Sequence, residues 1–406
     1  MSLQEVSLQQ EQSKTKVTTK AKIILLIIGI ILIGANLRAP LTSVGPLIGS
    51  IRENFGISNA AAGSLTTVPL IAFALLSPFA PKLSRRFGIE NILFFSLIFI
   101  TAGIVLRYFD GVSALFTGTI LIGLGIAICN VLLPSMIKQN FSQNVGVMTG
   151  VYSVSMNLFA AISSGLSLPM ATKFGLHGSL GYWAIFSIIA ILFWIPQIRS
   201  GGHAKNTVAV NQQSVNLWKS SLAWKITFFM GLQSLMFYTF VAWLPEILGQ
   251  QGISSNLAGW MLSLMQFAVI PFTFIVPIIA GKMKNQLLLV TITALFFIVG
   301  LFGILIGNVK LIPLFIMMVG IASGSAFSLA MMFFSLRTKN SQQAAELSGM
   351  AQSFGYLLAA IGPALFGILH DVSHSWTLPL WVLIIGSFFF FVFGIGAGKN
   401  KFVLSK

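Results

Sequence analysis

The sequence predicts an all-α integral membrane protein with twelve transmembrane helices in two pseudo-symmetric six-helix halves. Three observations lead there: a composition too apolar for a water-soluble domain, twelve apolar stretches long enough to cross a bilayer, and residues that recur half a chain apart. Of the 406 residues 56% are hydrophobic and only 8% charged, and the mean hydropathy is +0.91; ordinary globular domains are far more polar.

A helical span needs about 20 mainly apolar residues to cross the hydrocarbon. Taken in order, such stretches fall at 22–50, 58–81, 89–107, 112–137, 145–171 and 178–197, then at 222–248, 256–280, 286–306, 310–336, 344–369 and 376–398. The first follows a polar tail and contains Arg38, unlike a cleaved signal peptide, so it is expected to be retained. After six spans comes the longest polar stretch, Arg199 to Ser221, whose Gly201-Gly202, His203, Asn206, Asn211, Gln212 and Gln213 read as a flexible linker. Six more spans follow. The expected divisions are a tail at 1–21, a first half at 22–198, a linker at 199–221, a second half at 222–398 and a tail at 399–406.

The net charge of +16 could suggest a nucleic-acid or acidic partner, but the positions of the charges argue for membrane insertion instead. With the N-terminus in the cytoplasm, 19 of the 24 basic residues fall in cytoplasmic segments, and only Arg52, Arg107, Lys173 and Lys310 fall outside. Arg38 is left over. That asymmetry is what the positive-inside rule demands of a correct span count. Both termini are therefore expected in the cytoplasm and the protein in a bacterial inner membrane, as a monomer with lipid around it and no nucleic-acid partner. The lone Cys129 excludes an internal disulfide and is expected to pack inside a span.

Repeats support the division into halves. An offset of 199 aligns Gly125 with Gly324, Lys138 with Arg337, Gly150 with Gly349, and Ala160-Ala161-Ile162 with Ala359-Ala360-Ile361; an offset of 196 aligns Gly56-Ile57-Ser58 with Gly252-Ile253-Ser254 and Pro81 with Pro277. Two parallel six-span halves resemble the layout of a major facilitator transporter, in which substrate sits near the midplane between halves. The segment Asn36-Leu37-Arg38-Ala39-Pro40-Leu41-Thr42-Ser43-Val44-Gly45-Pro46-Leu47 is similar to the first-helix signature of the CynX/NimT family of cyanate and nitroimidazole permeases. Ala62 to Pro69, Ala80 to Gly88, Asn130 to Pro134 and Gly355 to Pro363 agree with it in order. The resemblance implies the fold and transport, with substrate varying inside the family. Between spans two and three the chain departs from the superfamily pattern of glycine, acid, glycine: Pro81, Arg85 and Gly88 stand there, and Glu90 replaces the usual base. Arg85, Arg86 and Glu90 are thus either a gate with its charges reversed or simple cytoplasmic anchors.

Arg38 is the expected functional centre. An arginine in midspan costs about +2.5 to +3.5 kcal/mol on insertion scales, and it cannot shed its proton. None of the eight acids, Glu5, Glu11, Glu53, Glu90, Asp110, Glu246, Glu346 and Asp371, maps to the middle of a span. Two readings stay open: a fixed carboxylate or backbone carbonyls neutralise the cation, or its forked donors bind an anionic or electron-rich substrate. At helical spacing around it, Gly34, Thr42, Gly45 and Gly49 would form one small, polar stripe. Asn130, Tyr152, Asn157, Gln233, Tyr238, Gln266, Gln352 and Tyr356 are candidate pocket residues, each open also to a plain interhelical hydrogen bond. The resemblance ranks spans one, four, five, seven, eight, ten and eleven as cavity-lining.

Other readings are weaker. Trp243 and Trp260 fit an outer interfacial belt. Gly320 with Gly324, and Gly118 with Gly123 and Gly125, lie inside spans and suit close helix approach rather than a nucleotide loop. His370 and His374 with Asp371 read as an exposed loop rather than a metal site, and no cofactor is expected. Glu246 is the one candidate proton site. The expected function is secondary transport of a small anionic or electron-rich polar solute of cyanate-like or nitro-aromatic class. Export of neutral or anionic drugs or metabolites is the alternative; a membrane-embedded enzyme would need a nucleophile, base or metal set at one depth, and none is visible.

Overall fold

The computed structural model describes residues 22–57, 59–201 and 217–403. The N-terminal tail, the last three residues of the C-terminal tail and most of the expected linker, His203 included, lie outside the described residues. The helices in order are α1 (22–36), α2 Ala39–Thr42, α3 Ile48–Phe55, α4 Asn59–Leu76, α5 Ala80–Phe87, α6 Ile89–Leu106, α7 Val112–Asn140, α8 Val145–Gly181 and α9 Ala184–Gly201. After the linker come α10 Ser221–Gln250, α11 Ser255–Lys282, α12 Leu287–Ile306, α13 Ile312–Leu336, α14 Ser341–Ser373 and α15 Thr377–Gly398. They make twelve crossings, with α1 to α3 sharing the first and α4 with α5 forming the second.

Where a crossing differs from its expected span, a proline or glycine is the cause. The first is interrupted at Leu37 and Arg38, because Pro40 has no N–H to give the Asn36 carbonyl, and again before the short 3-10 turn Gly45–Leu47 at Pro46. The second bends by 58° between α4 and α5, around Pro78 and Pro81. Gly175, at φ 76°, ends the fifth crossing inside α8, so residues after it belong to a connecting turn and the sixth crossing starts at Ala184.

Within the first half α7 packs on α4 and α6, and α9 on α6; within the second, α10 packs on α14 and α15, and α13 on α11 and α12. The halves meet along two seams, α8 with α11 and α14 with α4 and α7. The repeat partners Gly150 and Gly349 occupy matching places on them: Gly150 abuts Phe274 of α11, and Gly349 abuts Ser77, just past α4, and Pro81 of α5. Both seams are closed on the face to which α9 and α10 deliver the linker, here called the linker face. There Gly146 and Gly281 meet across α8 and α11, whereas Gly259, which points within about 40° of Gly281 at 100° per residue, meets nothing within 4 Å.

The intramembrane glycines serve close approach. A Cβ on Gly118 would lie 2.5 Å from the Gly103 carbonyl, on Gly320 2.5 Å from that of Met265, and on Gly324 2.5 Å from that of Val269. Trp260 is exposed, whereas Trp243 is half-buried, packing against Gly367 and Trp376 and donating to the Pro363 carbonyl. Cys129 is buried and free.

Burial of cations is wider than the sequence suggested. Arg107 is 1% exposed, with Nη1 donating to the Pro40 carbonyl at 2.6 Å and both Nε and Nη2 to Thr119 Oγ1. Arg337 is also buried; it caps the end of α15 through the Ala397 and Gly398 carbonyls and reaches Gln286, and burial pushes its guanidinium down to about 10, still charged at neutral pH. Helix-end cations thus satisfy carbonyls as well as setting topology.

Gly118→Val should abolish the folded, monodisperse species in detergent, because its side chain meets backbone that cannot yield. Gly165→Ala, placed where a Cβ meets nothing within 4 Å, should leave thermal unfolding unchanged or raise stability by up to about 1 kcal/mol.

Candidate functional site

Between the halves lies a cleft whose empty space, about 350 Å³, includes the solvent to which it is partly open. The interruption of the first crossing delivers Arg38 into it. Arg38 precedes α2 with φ −126° and ψ −34°, outside helical geometry, so its side chain leaves the line of the α1 face. The surrounding hydrogen bonds fix that break. Thr42 Oγ1 donates back to the Arg38 carbonyl at 3.0 Å and lies 2.6 Å from Ser163 Oγ on α8, while Arg107 holds the Pro40 carbonyl from the other side. The expected single stripe is accordingly split: Gly34 packs on the Tyr152 carbonyl and Thr42 on α8, but Gly45 and Gly49 face open space. Rotation at the break takes them out of phase.

The half-buried Arg38 guanidinium donates from Nη1 to Asn157 Oδ1 at 3.2 Å, and that amide is oriented by Asn157 Nδ2 donating to the Ser153 carbonyl. Its carbon lies 5.2 Å from the centroid of Phe237 and 5.4 Å from that of Phe327, rings supplied by α10 and α13 of the other half. Ring faces attract a cation without neutralising it. Among the described residues no carboxylate is within ion-pair distance of Arg38, so the reading in which a fixed acid cancels its charge finds no support.

Of the candidate pocket residues, Arg38, Asn157, Gln233, Tyr238 and Tyr356 line this cavity. Asn130, Tyr152 and Gln352 do not; they form a buried layer beside it, with Tyr152 Oη donating to Asn130 Oδ1 at 3.2 Å and Gln352 Nε2 to the Asn130 carbonyl at 2.9 Å. Gln266 is half-buried and away from the cavity wall. Ser234, Phe237, Val269, Thr273, Ser323 and Phe327 also line it and were not singled out from sequence. Small hydroxyls look like helix-packing residues, and two phenylalanines among 36 carry no mark of their own.

The residues considered for gating lie at the linker face. Arg85 Nη1 pairs with Glu346 Oε1 across the halves at 2.8 Å; Arg86 instead covers the ring of Phe87, and Glu90 accepts from Trp194 Nε1 through its backbone carbonyl. Glu246 is exposed, eight residues beyond Tyr238 on α10, hence about 12 Å further along it. His370 stacks on Trp376, and no group of His, Cys, Asp and Glu among the described residues could hold a metal.

The profile of the Major Facilitator Superfamily matches residues 26–363 and, in a second match, 226–398. The chain belongs to the Major Facilitator Superfamily. It is 40% identical to the 2-nitroimidazole transporter of Escherichia coli (strain K12), over 93% of this chain and 96% of that one. It is 47% identical to the uncharacterized transporter YycB of Bacillus subtilis (strain 168), over 93% and 94%, and 27% identical to the cyanate transport protein CynX of Escherichia coli (strain K12), over 86% and 91%. Within the superfamily it is thus a transporter of CynX/NimT type and no enzyme. Its fold superposes on that of the proton:xylose symporter XylE bound to 6-bromo-6-deoxy-D-glucose with a TM-score of 0.73 and 13% identity, covering 95% of this chain and 98% of that one. This is the major facilitator fold.

Tyr152→Phe removes only the phenol donor to Asn130. It should lower unfolding free energy by about 1 kcal/mol, seen in denaturant titration of the detergent-solubilised protein, and leave ligand affinity unchanged.

Proposed function

We propose that this transporter carries a small anionic or electron-rich polar solute, of cyanate-like or nitro-aromatic class, by alternating access, with Arg38 as its anion-binding residue at the midplane. The observation that carries the reading is a guanidinium, open to a cavity between the halves, that has an amide and two ring faces for neighbours and, among the described residues, no carboxylate within ion-pair distance. Such a cation favours an electron-rich ligand and repels a cationic one. Asn157, Gln233, Tyr238 and Tyr356 supply polar contacts, and Phe237 and Phe327 supply flat apolar walls. The names of two relatives, a 2-nitroimidazole transporter and a cyanate transport protein, fit that chemistry. The linker face is the cytoplasmic one, with tail, linker and halves divided as the sequence suggests, and the protein works as a monomer in the bacterial inner membrane. The Arg85–Glu346 pair closes its cytoplasmic gate.

Moving one negative charge inward costs about 2.3 kcal/mol per 100 mV of inside-negative potential. Among the described residues no Asp, Glu or His lines the cavity to carry a compensating proton, and Glu246 is exposed at a distance from it. Facilitated transport or exchange therefore ranks ahead of proton symport.

Loss of a charge-assisted hydrogen bond costs about 1.5 to 3 kcal/mol, so Arg38→Ala should weaken binding of cyanate or 2-nitroimidazole to the purified protein by roughly 10- to 100-fold, as read by calorimetry. Arg38→Lys, a point charge without the planar fork, should fall between. Unchanged affinity in both variants for a ligand the parent binds would sink the assignment. In proteoliposomes, uptake should be accelerated by the same solute trapped inside and should not respond to an imposed pH gradient.

A further inference from the structure

An α-helical carbonyl normally accepts from the N–H four residues on, and proline has none. Pro134 in α7 therefore leaves the Asn130 carbonyl without its helical donor, and Pro78 does the same to Ala74 at the end of α4. Both carbonyls are capped from the other half by consecutive residues of α14: Gln352 Nε2 donates to Asn130 O at 2.9 Å, and Ser353 Oγ to Ala74 O at 2.6 Å. One turn nearer the linker face, Gly349 presses on Ser77 O, a third carbonyl stripped of its donor, by Pro81. One turn in the other direction, Tyr356 lines the cavity and meets the ring of Phe73, the neighbour of Ala74, at 4.9 Å.

We infer that Gln352 and Ser353 are coupling residues for transport: through the two proline-freed carbonyls they hold the linker side shut, and they tie that closure to the ligand contact made by Tyr356 one turn away. This rests on the alternating-access reading of the protein. Ordinary helix carbonyls are already bonded, so a cross-half donor gains little from them; a proline-freed carbonyl in an apolar environment must be paired. The closed state pairs it with α14. When α14 tilts away, the same carbonyls face a water-filled cavity and exchange one acceptor bond for another at modest cost. The seal is therefore both specific and reversible. It exists on one seam only: at the offset of 199, Gln352 and Ser353 correspond to Ser153 and Val154 of α8, and the α8–α11 seam closes by glycine packing instead.

The test uses the full chain in nanodiscs with spin labels at Lys82→Cys and Lys339→Cys, one on each half at the linker face, read by double electron–electron resonance without ligand. The doubly changed Gln352→Leu, Ser353→Ala protein should show the closed-to-open ratio lowered roughly tenfold, from two lost hydrogen bonds of ordinary strength. Ser353→Thr, which keeps the hydroxyl, should restore part of it. In a Pro134→Ala background, where Asn130 O regains a helical donor, Gln352→Leu should shift the ratio markedly less than in the parent. An unshifted distance distribution in the double variant, or an equal shift with and without Pro134, overturns the inference. Should Pro134→Ala fail to fold, the double variant and the Ser353→Thr rescue still decide. Because no ligand enters the measurement, a failed Arg38 binding test would leave this result standing, and the reverse also holds.

Discussion

A bilayer core offers no water to a backbone carbonyl, so every break in a transmembrane helix must bring its own hydrogen-bond partner. Much of this structure follows from that requirement at its prolines. Pro40 interrupts the first crossing; the tightened turn after it sends the Val44 N–H to Leu41 rather than to Pro40, and the abandoned Pro40 carbonyl recruits Arg107. Pro277 strips Thr273, whose carbonyl accepts from Ser328 on α13. Pro78 and Pro134 are answered by Ser353 and Gln352. Each break thereby binds its helix to a particular neighbour, so the same chemistry sets where a helix bends and what it leans on.

The break at Arg38 makes a deep cation tolerable and useful at once. In a straight helix the guanidinium would be held against its own α1 face; displaced by the break, it reaches the cavity, where solvent offsets part of its desolvation cost. Phe237 and Phe327 add attraction without cancelling charge. A carboxylate in their place would form a stable ion pair and leave nothing for an anion to bind. The neighbours are therefore compatible with a cation that waits for its counter-ion.

The sequence made the architecture legible because insertion and hydrophobicity write it in bulk properties: the run lengths of apolar residues, the sidedness of Lys and Arg, and offsets that keep Gly150 and Gly349 on equivalent seams. Arg38 stood out for the same reason, as a lone violation of cost. The cavity wall was half-legible. Asn157 and Tyr238 differ from their surroundings in polarity, whereas Phe327 differs from other phenylalanines only in where α13 turns it. Asn130 and Gln352 were legible as polar yet not as partners, since pairing across 222 positions depends on the approach of two halves. Arg107 reads from sequence only as one of the outer basic residues, at the close of α6; the carbonyl that draws it inward belongs to a different helix.

The repeat is symmetric in layout and asymmetric in chemistry, and the asymmetry matters more for transport. The first half contributes the cation and its amide, Arg38 and Asn157; the second contributes Phe237, Tyr238, Phe327 and Tyr356. Neither half alone forms the site. On the proposed reading a solute held between them would contact both, so its affinity would depend on their separation, and ligand binding and domain closure would be one equilibrium rather than two. Had the aromatic walls and the arginine come from the same half, a solute could bind equally well whichever way the halves leaned, and would then bias neither state. On the proposed reading, dividing the cavity lining across the pseudo-twofold axis would let a small ligand, with few contacts to offer, bias the arrangement of the helices around it.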